Sequence, residues 1–539
     1  MQTHEVVNQP PPLAGYNLFT SDPALVEAVE RECAVWAKPQ LEAFGSVLGT
    51  EEWIRRGFQA NDYPPVLETH DRFGHRRDEV EFHPAWHELM ALSIGSGLHG
   101  SPWSEVRQGA HAARAAMMML AGENEAGHMC PVSMTYSAIP VIRLDPDLAR
   151  EWEPTIVSKQ YDPRFRPRPE KRGALVGMGM TEKQGGSDVR ANTTRAEPAG
   201  AKEYRITGHK WFCSAPMSDA FLVLAQAPGG LTCFFLPRWT PVGERNGFQI
   251  QRLKCKLGNR SNASGEIEFE NAWARRIGEE GRGVATIMEM VQHTRLDCCI
   301  GAAAIVRRAL VEAIHHARHR SAFGRPLEQQ PLMRGVLADL AVESEMATAI
   351  TMRLARAFDR RSTDEGEHAF ARLATAVGKY WLCKRAAPAI AEALECLGGS
   401  GYVEESILPR LYREAPLNSI WEGSGNVICL DVLRVLRKEP ECAEAFLAEV
   451  RLAKGDDRRL DGALRDVETM LTAKPDEAGT RLLVERMAVL LGASLAVRHA
   501  PAAIADAACA SRLGAARGFT FGALGMGVDA TALLQRAWH

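Results

Sequence analysis

The sequence predicts an α+β fold in which helical and β segments are segregated along the chain instead of alternating. Three observations carry this. From about residue 20 to 160, apolar residues recur at helical spacing, and residues 111–121 are an almost unbroken run of Ala, Met and Leu, the composition of a buried helix. From Gly173 to about Ala274 the period shortens to that of strands. From about Gly283 onward, long helical periods return. With 539 residues the chain is too long for a single core. The expected boundaries are a helical domain at 1–175, a β-sheet or small barrel at 176–280, a four-helix bundle at 281–439 and a further helical module at 440–539.

Each part has its own signals. Ser21-Asp22 caps the first helix, whose apolar spacing continues through Val35. The runs 204–207, 220–226, 231–237 and 265–269 are short, alternating or apolar strands, broken by Gly208, Pro228-Gly229-Gly230 and residues 259–262. Four helical runs follow at 283–318, 329–361, 367–397 and 425–437, and the turns between them suggest an antiparallel bundle. After Pro440 the stretch 441–539 reads as a separate helical module.

Charged residues make up 24% and apolar residues 46%, with net charge −3, which excludes a globally basic nucleic-acid binder and an acidic disordered tail. Apolar stretches are broken by charge well before the ~20 residues of a membrane span, Arg486 and Arg498 interrupting the best of them. The first ten residues lack a basic segment and an apolar core, so no signal peptide is expected. The twelve cysteines are scattered, only Cys298 and Cys299 being adjacent, as in a cytoplasmic protein with reduced thiols.

The segment 418–426, N-S-I-W-E-G-S-G-N, sets one carboxylate, Glu422, between Trp421 and two glycines, ahead of a helix-forming run. A carboxylate in apolar surroundings suits a general base, and glycines let backbone approach a ligand. An ordinary turn with a solvated Glu fits the same residues. The block 177–188, G-M-G-M-T-E-K-Q-G-G-S-D, offers hydroxyls and free amides for a heteroatom-rich ring or a phosphate, or is a plain connecting turn. It is not a P-loop, and no G-x-G-x-x-G follows a strand, which argues against a Rossmann fold. Three further blocks are Trp211-Phe212 with the small polar residues after them, the turn R-S-A-F-G-R at 320–325, and the glycine cluster at 395–402.

In this order and spacing the five blocks resemble the acyl-CoA dehydrogenase superfamily of flavoproteins over roughly residues 80–437. The resemblance implies a helical N-terminal domain, a middle β-domain, a C-terminal four-helix bundle, one FAD per subunit and a homotetramer built as a dimer of dimers. It also implies site roles. Met180, Thr181, Gly186 and Ser187 would line the flavin ring, and Trp211 with Cys213 and Ser214 would face its other edge. Arg320, Phe323, Gly398 and Gly399 would reach the FAD of the neighbouring subunit. Trp421, Gly423, Ser424 and Asn426 would bind the cofactor beside the base, Ser424 and Asn426 holding the flavin's tail. Glu422 would remove the α-proton of an acyl-CoA while the β-hydrogen leaves as hydride. Some members carry the base just before an arginine on the helix beginning near Gly283; here that position is Thr294, which leaves Glu422. Arg295 would orient the loop carrying it.

The long tail, the opening V-V-N-Q-P and the blocks M-T-E-K-Q-G-G-S-D and L-N-S-I-W-E-G-S-G-N are similar to one branch, the alkylation-response, AidB-type homologues. That resemblance implies weak dehydrogenase activity, binding of double-stranded DNA and a role in the response to DNA alkylation. The alternative is a purely metabolic acyl-CoA dehydrogenase. Candidate phosphate contacts are Arg434, Arg437, Arg451, Arg458 and Arg459, although residues 441–539 carry 12 Lys+Arg against 13 Asp+Glu. The loop 164–172 is the other basic patch. His315, His316 and His319 have ligand spacing, but Arg318 and Arg320 beside them would repel a cation, so no metal is expected.

Overall fold

The structure is a computed structural model that describes residues 3–514, 518–525 and 527–538. It has the expected α+β architecture, but the chain packs as two compact units that cut across the expected boundaries. One comprises residues up to Ile54, Gln108–Asn124 and the chain from Arg295 onward; the other comprises Arg55–Arg107 and Glu125–Thr294.

In the second unit, seven strands form one sheet: β3 (Val176–Gly179), β4 (Arg195–Pro198), β5 (Glu203–Ser214), β6 (Ala220–Ala227), β7 (Gly230–Pro237), β8 (Phe248–Leu253) and β9 (Ser264–Ile277). The pairings β6–β4–β5–β9–β7–β6 return on themselves, so the sheet closes as a barrel and the ring has no free edge. Strand β5 alternates buried and exposed residues over its first half, with Tyr204 and Ile206 inward, as expected of a strand with one wet face. β6 is buried over six consecutive residues, which matches its unbroken apolar sequence. β3 runs parallel to β6, and the barrel core gathers Phe221, Val223, Phe234, Phe248, Ile250 and Phe269.

The expectation of helix throughout residues 20–160 is corrected within this unit. Val66–His70 (β1) and Arg76–Glu81 (β2) form an antiparallel hairpin. Pro64-Pro65 stop the preceding helix, Gly74 takes φ 84°, and the Asp71 carboxylate accepts the backbone N–H groups of Phe73 and His75. Asp78 of β2 then accepts from the backbone of Ile250, tying the hairpin to β8.

In the first unit the bundle helices lie close to their expected bounds: Gly283–His319 (of which the part from Arg295 belongs here), Pro331–Arg360, Glu365–Cys396 and Gly425–Lys438. Asp22 caps Pro23–Arg31 as expected, although that helix ends short of Val35. Ala110–Asn124 is buried along its whole length and packs on Pro331–Arg360. One further helix, Leu408–Asn418, occupies a stretch that reads as a mixed apolar run because Pro409 and Pro416 interrupt its pattern. The tail does not close a core of its own. Ala496, Ile504, Ala507, Ala508 and Leu533 share a cluster with Ala338, Val342 and Met346 of the bundle. No helix among the described residues is long and apolar enough to cross a membrane.

Candidate functional site

In the bundle unit the site is built around the turn 421–424. Leu408–Asn418 ends in a turn, and the next helix starts at Gly425. Between them Glu422 adopts φ 58° and Gly423 φ 105°. Glu422 therefore sits in the left-handed region, which a non-glycine residue keeps only when its surroundings hold it there. Two cations from different helices do so. The Arg295 Nε donates to the carbonyl of Glu422 at 3.1 Å, and the Lys379 ammonium donates to the next carbonyl, that of Gly423, at 2.5 Å. Lys379 is 1% exposed, so its bond to Gly423 is made out of water, where a charge-assisted hydrogen bond is strongest.

Arg295 is itself fixed by Asp431 at 2.6 Å, which also accepts two bonds from Arg372. Burial would raise the Asp431 carboxyl, but the two guanidinium groups outweigh burial and hold it well below the usual carboxylate range. A Cβ on Gly423 would meet Ile428 at 3.2 Å and Arg295 Nη2 at 3.5 Å, so the turn is closely enclosed as well as left-handed. Trp421 donates its indole N–H to Asn418. The expected link between Arg295 and the loop carrying Glu422 is thus a direct bond. Lys379, Arg372 and Asp431 are additional members that sequence reasoning missed; a lysine inside a long apolar helical run was the available signal.

The other residues of this unit divide. Ser424 is the residue preceding Gly425–Lys438, and its side chain makes no capping bond. The Asn426 amide oxygen accepts from Arg481 of the tail at 2.8 Å. Phe323 is 98% exposed at φ 52° on the tip of a short hairpin, Ser321–Ala322 with Arg325–Pro326. Arg320 donates to the carbonyl of Asn8, so the N-terminal V-N-Q-P segment lies against this turn. Gly398, at φ 59°, and Gly399 are both exposed. Of the arginines expected at phosphates, Arg434, Arg437, Arg451 and Arg458 are exposed and Arg459 is half-buried. Arg434 pairs with Asp431, Arg451 with Glu468 and Glu444, and Arg459 with Asp457 and Asp506. The 451–459 stretch is therefore not a bare basic face.

In the barrel unit the block 180–188 is held from beneath by a fully buried ion pair. Glu182 accepts from the Lys210 ammonium at 2.8 Å, from the backbone of Thr193 at 2.6 Å and from the backbone of Thr194 at 3.2 Å. Burial pushes its carboxyl upward, and Lys210 with the threonine donors overrides this to leave it at about 2. The backbone N–H of Trp211 donates to the Thr181 carbonyl at 2.8 Å, joining this block to β5. A Cβ on Gly186 would lie 2.4 Å from Thr181 Oγ1, so a side chain there would force the Thr181 side chain to move. Met180 and Thr181 are half-buried, and Gly186 and Ser187 exposed.

Trp211 carries the Lys254 ammonium 3.2 Å from its ring centre. Ser214 is half-buried at the end of β5. Cys213 corrects the expectation of a polar group on this surface: its side chain belongs to the barrel core, and burial pushes its thiol up to about 12. A bulge between Lys210 and Cys213 sets which residues of β5 face inward, and strand alternation alone does not reveal it. Elsewhere in this unit Ser93, His128 and Glu125 line up at 3.0 and 2.9 Å like a nucleophile, base and orienter. All three are at most 2% exposed, and Glu125 also binds Ser261 and backbone N–H groups, so the array is structural.

Comparison with known proteins yields three matched segments. Residues 8–163 match the adaptive response protein AidB N-terminal domain, 177–272 the acyl-CoA dehydrogenase middle domain and 281–437 the acyl-CoA dehydrogenase C-terminal domain. The putative acyl-CoA dehydrogenase AidB of Escherichia coli is 49% identical over 94% of this chain and 94% of its own. Acyl-CoA dehydrogenase family member 11 of Caenorhabditis elegans is 30% identical over 86% of this chain and 79% of its own. A crystal structure of C. elegans ACDH-11 in complex with C11-CoA superposes with a TM-score of 0.86 at 27% identity, covering 94% of this chain and 92% of that one.

Proposed function

The chain belongs to the acyl-CoA dehydrogenase family, in its AidB branch, and from that premise we propose that Glu422 is the base for α,β-dehydrogenation of an acyl thioester. The family makes it an FAD-dependent oxidoreductase acting on CH–CH bonds. FAD supplies the hydride acceptor when bound. The residues fit that group: Gly186 and Ser187 keep their backbone exposed on the barrel block. In the barrel unit Met180, Thr181, Gly186, Ser187, Trp211 and Ser214 are the residues that would contact its ring. In the bundle unit, taken by itself, Ser424 and Asn426 are those that would contact its tail. Cys213 would contribute backbone alone.

The observation that carries this reading is the clamped turn. A base must be placed to within fractions of an ångström of the hydrogen it removes. Arg295 and Lys379 fix two successive carbonyls of the turn from which the Glu422 carboxylate projects. That carboxylate takes the α-proton, the β-hydrogen departs with its electron pair, and a 2,3-enoyl thioester remains. The acyl-CoA class is supported by the C11-CoA complex of the C. elegans neighbour.

The test is anaerobic bleaching of bound flavin by a panel of acyl-CoAs. Glu422→Gln is expected to retain flavin and to bleach about 10²–10⁴-fold more slowly, the usual worth of a general base. Bleaching at the parental rate moves the base elsewhere.

We further propose a role in the response to DNA alkylation, with duplex binding through backbone phosphates, by a cytoplasmic homotetramer. The AidB N-terminal match supports the stress role, and exposed Arg437 and Arg458 support the phosphate contacts. Phe323, almost wholly in solvent on its hairpin tip, supports subunit assembly. A purely metabolic acyl-CoA dehydrogenase is the competing reading, and duplex binding separates the two.

A further inference from the structure

The tail after Pro440 reaches the candidate flavin site at one point. Arg481, in the first turn of the helix Thr480–His499, donates to the Asn426 side chain at 2.8 Å, and its guanidinium carbon lies 5.8 Å from the centre of the Tyr380 ring. Lys384 approaches the same place from the helix Glu365–Cys396: its ammonium is 5.4 Å from that ring centre. It also packs so tightly on Gly425 that a Cβ there would lie 2.6 Å from its Cε. Neither Arg481 nor Lys384 is in an ion pair among the described residues. Five other arginines of the tail are paired with carboxylates: Arg451 with Glu468, Arg459 with Asp457, Arg498 with Glu449, Arg512 with Asp339 and Arg536 with Glu27 and Glu345. Two cations set side by side repel each other, Glu485 being the carboxylate within electrostatic reach of the same tyrosine, and an anion brought between the cations relieves that repulsion.

We propose that the extra C-terminal helices complete the flavin site. In this arrangement Arg481 is a positioning residue that fixes the Asn426 amide, and Arg481 and Lys384 together provide positive charge for the cofactor's phosphates. The inference rests on the flavin reading above and adds to it a part supplied from outside residues 281–437, the segment matched by the family's C-terminal domain. Fixing Asn426 from the tail leaves its amide one orientation, with the oxygen toward Arg481 and the NH₂ group available to a ligand.

The experiment is FAD titration of the deflavinated full chain, followed by flavin fluorescence, for the parent, Arg481→Met, Arg481→Lys and Arg498→Met. The last variant breaks a tail-to-tail ion pair away from Asn426. Melting of each apoprotein is recorded alongside. Arg481→Met is expected to weaken FAD binding about tenfold, in the range of one hydrogen bond from a charged group, without lowering the apoprotein melting temperature. Arg481→Lys should recover most of the loss because it keeps the charge, and Arg498→Met should melt earlier while binding FAD like the parent. Parental affinity in Arg481→Met overturns the inference and leaves the flavin reading standing. Equal weakening in Arg481→Met and Arg498→Met also overturns it, because the effect would then be tail docking. A parent that binds no FAD at all overturns the flavin reading itself.

Discussion

Glu182 and Lys210 bury one negative and one positive charge beneath the block 180–188. Removing either partner alone would leave the other unmatched in the barrel wall, the costly case for a buried pair. The carboxylate's share also depends on pH. Its folded value of about 2 lies below the ordinary value of 4.5, so the stabilisation is present above pH 4.5 and is lost as pH falls toward 2. The displacement corresponds to at most about 3 kcal/mol. Burial lowers the Lys210 ammonium despite its partner, so the pair as a whole contributes less than the carboxylate's share. Acid unfolding followed by tryptophan fluorescence should therefore steepen between pH 4.5 and 2, and Glu182→Gln should flatten that limb while lowering stability at pH 7. A Glu182→Gln limb identical to the parent's would remove Glu182 as its source. At this scale Glu422, Thr181 and Trp211 could be singled out as candidates, because a glycine-flanked carboxylate, a hydroxyl in a glycine-rich block and an aromatic strand residue carry visible chemistry. Lys379 and Asp431 were not, since their roles depend on which helices meet, and Cys213 was misread because a bulge turned it into the core.

Among the elements, the long bundle helices declared themselves through period and length, while short or proline-broken ones did not. Leu408–Asn418 holds two prolines in eleven residues, and β1 and β2 are charged strands whose hairpin is set by Asp71 and Gly74 more than by apolar alternation. The tail looked separate because Pro440 interrupts the sequence, yet that proline sits in the first turn of Pro440–Arg451, where it is well tolerated. What binds the tail to the bundle is partly ionic. Glu449 accepts from Arg353 of the bundle at 2.8 Å and from Arg498 of the tail at 2.6 Å, and Arg353 also holds Glu367. Burial acts to raise the Glu449 carboxyl, but the two arginines hold it at about 2. Glu449→Gln leaves both guanidinium groups short of a counter-charge and should destabilise the protein by about 3 kcal/mol, the order found when one partner of a buried ion pair is removed. Urea denaturation followed by circular dichroism measures this; an unchanged midpoint would mean that apolar packing alone docks the tail.

For the molecule as a whole, the division into helical, β and helical segments was visible in the sequence, whereas the two packing units were not. Residues before Ile54 and the buried helix Ala110–Asn124 join the C-terminal helices, an association between segments about two to three hundred residues apart that periodicity cannot report. The same scale governs the DNA reading. Phosphate-driven binding weakens as salt rises because neutralised phosphates release counterions, and ~6 contacts cost on the order of a thousandfold between roughly 50 and 200 mM salt. Fluorescence anisotropy with a duplex at both salt levels should show that loss. Arg437→Ala/Arg458→Ala should weaken binding more than Arg451→Ala/Arg459→Ala, since carboxylates already engage the latter pair. Absence of binding at low salt favours the purely metabolic reading. The left-handed backbone at Glu422 has a consequence of a different kind, for durability. A turn kept in an unfavourable conformation by two side-chain bonds opens at a lower free energy than the helices around it. On warming, turnover should therefore fade while ellipticity is still intact, so the useful lifetime of this catalyst is set by one turn and not by its melting point.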